Sequence, residues 1–398
     1  MARYAELFQA QGAVRFVAAG FVARLTVAMA GLALVLALSE DNGSYALAGT
    51  VTGVLGLASA VVGPQVGRLH DRYGQDRVLP PLALVFGCSM GLIIAAIAAD
   101  WPAWTLFPLA AAAGASLPLV GSLVRARWTK MYRGTEQLRT CYALEGATEE
   151  AVYIVGPVLV TALATGIGPL VGLGAVLGCA VLGTLSLAVQ RSTQPEPSAH
   201  TGKAAPVGVM RLPAMRLLFA VMLGIGGVFG SMEIIVVGFA TEQGSRGASG
   251  LLLGVWGVSS LLAGLVYGVA KVRTPLHRRF TWAVLGFAAG LLPLLLAGNL
   301  LTLSLLLLVA GPSMSLAMVI GMEVIEQVVP EASLTEGIAW SSGGTGFGMT
   351  IGSAAGGWAV DALGAGRAFG VPAACAVAGL LIVLAGRRTL AAGCARGA

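Results

Sequence analysis

Charge is what this sequence has least of. Only 11% of its 398 residues are Asp, Glu, Lys or Arg, against about a quarter in an ordinary soluble domain. With 57% hydrophobic residues and a mean hydropathy of +0.86, the chain has too little polar surface to coat a water-soluble globule of its size. A soluble enzyme, a nucleic-acid binder and a disordered chain are excluded on that ground. Histidine is scarce as well. His70, His200 and His277 are too dispersed for a metal centre, and none lies in an apolar run where a membrane-embedded hydrolase or acyltransferase would need it. Cys88, Cys141, Cys179, Cys375 and Cys394 include no CxxC pair, so neither a disulfide framework nor a zinc site is indicated. No Walker A sequence is present, so ATP does not drive the chain directly. The glycine-rich stretches at 224–230 and 344–348 lie inside apolar runs and follow no strand, so they are not nucleotide loops. No cofactor and no metal are called for.

What is present is apolar length. Runs fall at roughly 13–38, 44–67, 78–99, 102–124, 138–164, 167–189, 214–239, 248–270, 280–298, 300–325, 335–360 and 368–386. Each is long enough to cross about 30 Å of hydrocarbon as a helix. These are the twelve spans of an all-α integral membrane protein; a β-barrel would show short alternating strands instead. The first run follows a short polar start and lacks a cleavage site, so it reads as a retained helix. Basic residues gather between spans 2 and 3 (Arg68, Arg72, Arg77), 4 and 5 (Arg125, Arg127, Lys130, Arg133), 6 and 7 (Arg191, Lys203, Arg211, Arg216), 8 and 9 (Lys271, Arg273, Arg278, Arg279), and in the tail (Arg387, Arg388, Arg396). Arg246 and Arg367 are the exceptions on the other side. The positive-inside rule therefore puts both termini in the cytoplasm. The net charge of +6 belongs to those loops and not to a nucleic-acid surface.

The longest polar stretch, 191–212, holds Pro195, Pro197 and Pro206 and reads as a flexible linker. It divides the chain into residues 1–190 and 213–398, six spans each. The two parts echo each other: 143–157 in span 5 matches 339–353 in span 11 at a fixed offset, with Gly156 on Gly352 and Glu145 on Ser341. Two parallel six-span repeats around a cavity are an alternating-access architecture. Glycine, 57 residues in all, is about twice its usual share. GxxxG spacings recur at Gly63/Gly67, Gly87/Gly91, Gly174/Gly178, Gly286/Gly290 and Gly348/Gly352, as expected where membrane helices approach closely.

After span 2 the sequence reads Gly67-Arg-Leu-His-Asp71-Arg72-Tyr-Gly74-Gln-Asp-Arg77. Here it resembles the major facilitator superfamily, whose signature in this loop is G-x-x-x-D-R-x-G-[RK]-[RK]. Gly67, Asp71, Arg72 and Gly74 match; Gln75 and Asp76 replace basic residues, and Arg77 follows. The resemblance implies that Gly67, Asp71, Arg72, Gly74 and Arg77 form a conformational latch between the halves. Gly67 would let a helix pack close. Asp71 would face a helix N-terminus, and the capping-box pattern Ser333-Leu-Thr-Glu336 offers one at the start of span 11. Gly156-Pro157 in span 5 also resembles the antiporter-type signature of that family, although Val160 and Thr161 replace its last glycines. Gly348, Gly352, Gly356 and Gly357 keep that spacing in span 11 as a helix-packing motif.

Charges inside the spans carry the sharpest expectation, because buried charges in membranes are costly and mark pairs or pathways. Arg24 lies mid-span in span 1, Glu145, Glu149 and Glu150 in span 5, and Glu233 towards the outer part of span 7. Arg24 and Glu149 each sit about 11 residues from their cytoplasmic ends, a common depth of about 16 Å, which makes a pair between Arg24 and a span 5 carboxylate reasonable and ranks Glu149 first for proton coupling, then Glu145 and Glu150. Glu145 and Glu149 share a helix face, while Glu150 points about 100° away. One arginine does not neutralise three carboxylates, so at least one is expected to exchange a proton or touch substrate. Trp340 is a candidate cavity aromatic. Ala110–Gly114 carries no arginine where many proton antiporters of the family have one in span 4.

Together these readings, with the resemblance, imply no enzyme. They imply a proton-coupled exporter of small lipophilic compounds, a monomer in a bacterial inner membrane whose partners are its substrate, protons and lipid. The alternatives are an importer or uniporter of a metabolite whose anionic group binds Arg24, and a non-transporting receptor.

Overall fold

The computed structural model describes residues 7–41, 43–118, 120–132, 135, 137–196, 208–269, 274–330 and 334–396. Among the described residues every regular element is helical. Spans 1 to 6 are Ala13–Asp41, Tyr45–Tyr73, Gln75–Ala98, the pair Leu106–Ala115 and Val120–Tyr132, Gln137–Gly166 and Pro169–Ala188. Spans 7 to 12 are Pro213–Glu242, Ala248–Val269, Leu276–Leu291, Leu300–Val328, Leu334–Leu363 and the pair Ala365–Ala368 and Gly370–Ala385. Eleven of these twelve are long and apolar enough to cross a membrane. Leu334–Leu363 matches their length but is diluted by glycine, serine and threonine.

Local chemistry sets the boundaries. Gly74 adopts φ 88°, a left-handed backbone that turns the chain between spans 2 and 3. Pro213 opens span 7 at a position where its missing N–H costs nothing. Asn299 caps span 10, its side chain accepting from the Thr302 amide at 2.8 Å while the Thr302 hydroxyl accepts from the Asn299 amide at 3.1 Å. In span 4 the helix stops at Ala115 and restarts at Val120, with Pro118 between. The restarted segment runs to Tyr132, so Arg125, Arg127 and Lys130 stand on a helix and not in a loop as the hydropathy suggested.

The chain forms two compact units: Met1–Asp41 with Val61–Gly202, and Asn42–Ala60 with Lys203–Ala398. The first unit is built on an apolar cluster that includes Phe16, Leu79, Val124, Trp128 and Leu187; Phe16 meets Trp128 edge-on with ring centroids 4.8 Å apart. The second is held by a seam of bare backbone between spans 7 and 11. A β-carbon on Gly348 would overlap the Leu223 carbonyl, one on Gly352 the Gly227 carbonyl, and one on Gly226 or Gly230 the carbonyl of Thr345 or Met349. Small residues there allow dispersion contacts that lipid cannot replace. Span 2 belongs to both units. Its first part packs on span 11, where a β-carbon on Gly49 would overlap the Ser353 carbonyl and one on Gly357 the Tyr45 carbonyl.

Candidate functional site

In the first unit Arg24 meets Glu145 and not Glu149. Their side chains are 7% and 0% exposed. The guanidinium donates to one Glu145 oxygen and, at 3.3 Å, to the carbonyl of Gly121. The Trp128 indole N–H donates to the other Glu145 oxygen at 2.9 Å. A dry ion pair needs such extra bonds, because desolvation removes most of its Coulombic gain. Three elements thus meet at Glu145: span 1, the second part of span 4, and span 5. The expected depth match was sound for Arg24 and span 5, but it passed over Trp128, whose donor selects the glutamate one turn nearer the Arg-rich end.

Glu149 has its own partner, the guanidinium of Arg125 on span 4. The ratio of three carboxylates to one arginine is therefore corrected to three to two. This pair is open: 46% of the Arg125 side chain and 47% of the Glu149 side chain are exposed. Glu150 and Glu233 are partly buried, and neither makes an ion pair or hydrogen bond to another described residue. Trp340 is 40% exposed and meets Phe219 edge-on at 5.9 Å. Gly156 lies against span 1, 2.8 Å separating its ideal β-carbon position from the Ala28 methyl, beside buried Pro157.

The signature loop divides into two kinds of residue. Gly67, Arg72 and Arg77 are exposed. No described atom lies within 4 Å of a β-carbon placed on Gly67. Arg72 stacks over Tyr73 at 5.2 Å. The Asp71 side chain, Ser333 and the side chains of Thr335 and Glu336 lie outside the described residues, and with them the expected helix cap.

Gln75 and Asp76, the departures from the signature, are tied inward. Gln75 accepts from Arg127 Nε at 2.8 Å and donates to the Leu123 carbonyl at 3.2 Å. Arg127 is fully buried; it donates further to Leu187 O at 2.9 Å, Gln190 O at 3.0 Å and Thr193 Oγ1 at 2.7 Å. The Leu187 and Gln190 carbonyls lie at and just past the C-terminal end of span 6, where a cation is favoured. Asp76 bonds Gln194 and Arg191, both at about 3 Å. Residues 191–194 are consequently anchored to the first unit, which corrects the reading of a flexible linker from Arg191 onward. Arg127 was legible only as one more basic loop residue; an arginine flanked by Val124 and Trp128 was the available signal.

Asp361, near the end of span 11, was also missed. Its carboxylate accepts from the backbone amides of Tyr45 at 2.9 Å and Ala46 at 2.8 Å and from the Ser44 hydroxyl at 3.1 Å. Span 2 thus takes its N-cap from a residue more than 300 positions away.

Eleven helices long and apolar enough to cross a membrane, with the Arg24–Glu145 pair buried among them, define a multi-pass membrane protein. A sequence profile of the Major Facilitator Superfamily matches residues 16–314. The chain belongs to that superfamily: it is a secondary transporter of a small-molecule substrate, a multi-pass membrane protein and not an enzyme. No individually curated protein matches it in sequence. Its fold is similar to that of the nucleoside transporter NupG (TM-score 0.73, 14% identity, 94% of this chain and 98% of that one). The POT family transporter PepTSo is comparable (0.72, 13%, 94% and 97%). So is a bacterial homologue of the iron transporter ferroportin (0.67, 15%, 96% and 99%). At these identities the likeness is one of fold.

Proposed function

We propose that the chain exports small, largely lipophilic compounds in exchange for protons, with both termini in the cytoplasm of a bacterial cell. Residues 1–190 and 213–398 would act as the two rocking halves, with the segment Gly67–Arg77 as their latch. One observation carries the coupling: of the membrane-embedded glutamates, Glu145 and Glu149 are held by arginines, while Glu150 and Glu233 have no such partner among the described residues. A carboxylate inside a span without a counter-charge is costly when ionised, so it is suited to load a proton from one side and release it to the other. The difference in proton affinity between the two conformations is the coupling free energy.

An apolar groove of about 520 Å³ between spans 8 and 10, lined by Leu262, Ala263, Val266 and Leu308 with Ser259 and Tyr267 as its polar groups, suits lipophilic cargo. Burial of Arg24 against Glu145 speaks against an anion-binding role for that arginine. The test is movement of neutral and charged lipophilic dyes in inverted vesicles with an imposed pH gradient. Wild type should accumulate dye and release protons; Glu150→Gln and Glu233→Gln should lose gradient-driven accumulation but retain passive exchange. Flux that ignores the gradient overturns the coupling.

A further inference from the structure

We infer that the trough between spans 8 and 10 binds one phospholipid of the leaflet on the arginine-rich side, with an acyl chain in the trough and the phosphate against Arg278 and Arg279. Two stripes form its walls. Ser259, Ala263 and Tyr267 recur at every fourth residue on span 8, and Leu308, Pro312 and Leu316 do so on span 10, so each set shares one face of its helix. The helices touch where Gly264 meets Ser315 and Gly311 meets Ser259; a β-carbon on either glycine would fall within 2.6 Å of the serine hydroxyl oxygen. Small residues on that seam bring the helices together, and the space beside it is about 520 Å³. Its rim is open sideways: Leu262 and Val266 are both more than half exposed.

Length and polarity decide what fills it. Ser259 and Tyr267 are separated by about 12 Å of helix, and Tyr267 lies within one turn of Val269, the last residue of span 8. The trough therefore runs from one membrane boundary to near the middle of a hydrocarbon core about 30 Å thick, the depth of a single leaflet. Its deep end offers water no partner, because the Ser259 hydroxyl already donates to the Trp256 carbonyl at 2.9 Å, and an apolar space without polar partners holds no ordered water. An extended run of methylenes fits such walls, which supply dispersion contacts along their length. The shallow end is polar. The Tyr267 hydroxyl donates to Glu323 at 3.2 Å and accepts from Arg279, which itself pairs with Glu323 at 3.2 Å. With that carboxylate engaged, Arg278 is the exposed cation beside it. It stands in the first turn of span 9, which holds no acidic residue and whose amides favour an anion. Exposed Glu326 lies about 4.5 Å further along span 10, outward of that point. An apolar trough one leaflet deep, ending at a cation at headgroup level, matches the layout of a phospholipid. A free fatty chain would leave Arg278 unused, and free phosphate would leave the trough empty. Lipid binding does not rest on the exporter reading; only competition between lipid and cargo for this trough does.

The test is native mass spectrometry of the purified full chain, titrated in detergent with dioleoyl phosphatidylglycerol and, separately, with dioleoylglycerol, which has the same chains and no phosphate. Wild type should retain one phosphatidylglycerol saturably and dioleoylglycerol about tenfold more weakly. Ala263→Phe, which fills the trough, should weaken retention about tenfold, and Arg278→Gln about threefold. Leu301→Phe, on the exposed far end of span 10, should change nothing. Should Ala263→Phe fail to fold, Leu262→Phe narrows the same trough from its exposed rim and carries the same expectation. Equal retention of the two probes, unchanged retention in the trough variants, or an equal loss in Leu301→Phe would each overturn the inference, the last because it marks lipid held anywhere on the apolar surface. Lipid retention as expected without gradient-driven flux would refute the exporter reading alone, whereas gradient-driven flux without saturable lipid retention would refute this site alone.

Discussion

Removing Arg24 should cost far more than removing Arg125, although each is one half of an arginine–glutamate pair. Arg24→Met strips the Glu145 carboxylate of its counter-charge and leaves the Trp128 indole as its remaining donor. An uncompensated buried charge of this kind costs about 3–5 kcal/mol. For a cooperative unit of about 200 residues, roughly 2–4 °C per kcal/mol turns this into a fall in melting temperature of about 6–20 °C. Arg125→Met removes a pair about half exposed on both sides, so it should cost no more than about 1 kcal/mol. The double variant Arg24→Met/Glu145→Leu should recover most of the loss, because a packed apolar pair is as stable as a buried ion pair or more so. Thermal unfolding of the purified protein, followed by tryptophan fluorescence and size-exclusion profile, measures all three. If Arg24→Met melts within 3 °C of Arg125→Met, or the double variant is no better than the single, the pair is not dry and the argument from burial fails.

Asp361→Ala should expose the first turn of span 2: loss of a cap is worth about 0.5–2 kcal/mol, read as faster hydrogen exchange at the Tyr45 and Ala46 amides with little change elsewhere. Gly352→Leu should abolish a folded second unit, since its side chain would enter the Gly227 backbone, whereas Gly67→Ala should leave thermal stability unchanged or raise it by up to about 1 kcal/mol; expression and melting curves compare them. Arg127→Lys should recover less than half of what Arg127→Met loses, because an ammonium does not reproduce a fork bonded to Gln75, Leu187, Gln190 and Thr193 at once; the readout is resistance to unfolding in mixed detergent.

Hydropathy made the helices legible, because about 20 apolar residues in a row have few other fates. It blurred their ends. The run in span 4 closes at Val124, so Arg125 and Arg127 looked like loop residues, yet backbone hydrogen bonds carry the helix on to Tyr132. That displacement of a few residues hid the partner of Glu149 and the anchor of residues 191–194. Glycine spacing was legible only as a class of contact. Gly348 and Gly352 sit where two backbones touch, while Gly174 and Gly178, spaced identically, have nothing described within 4 Å; a motif states what a helix permits, and the neighbouring helix decides whether it is used. Long-range caps such as Asp361 leave no local trace, since carboxylate and amides are adjacent only after the helices pack.

Pro64 gives span 2 a mechanical character that its length conceals. A proline within a helix has no N–H for the carbonyl four residues earlier, here that of Ala60, the last residue of span 2 that packs in the second unit before Val61 joins the first. The rod is therefore weakest where its allegiance changes. One end is pinned by Asp361 and by backbone contacts at Gly49 and Gly357; the other carries Arg68 and Arg72 out of the apolar run. Bending at Ala60 breaks one hydrogen bond fewer than bending anywhere else along that helix, so the mechanical weak point of span 2 lies between the stretch held by Asp361 and the stretch that carries Arg68 and Arg72.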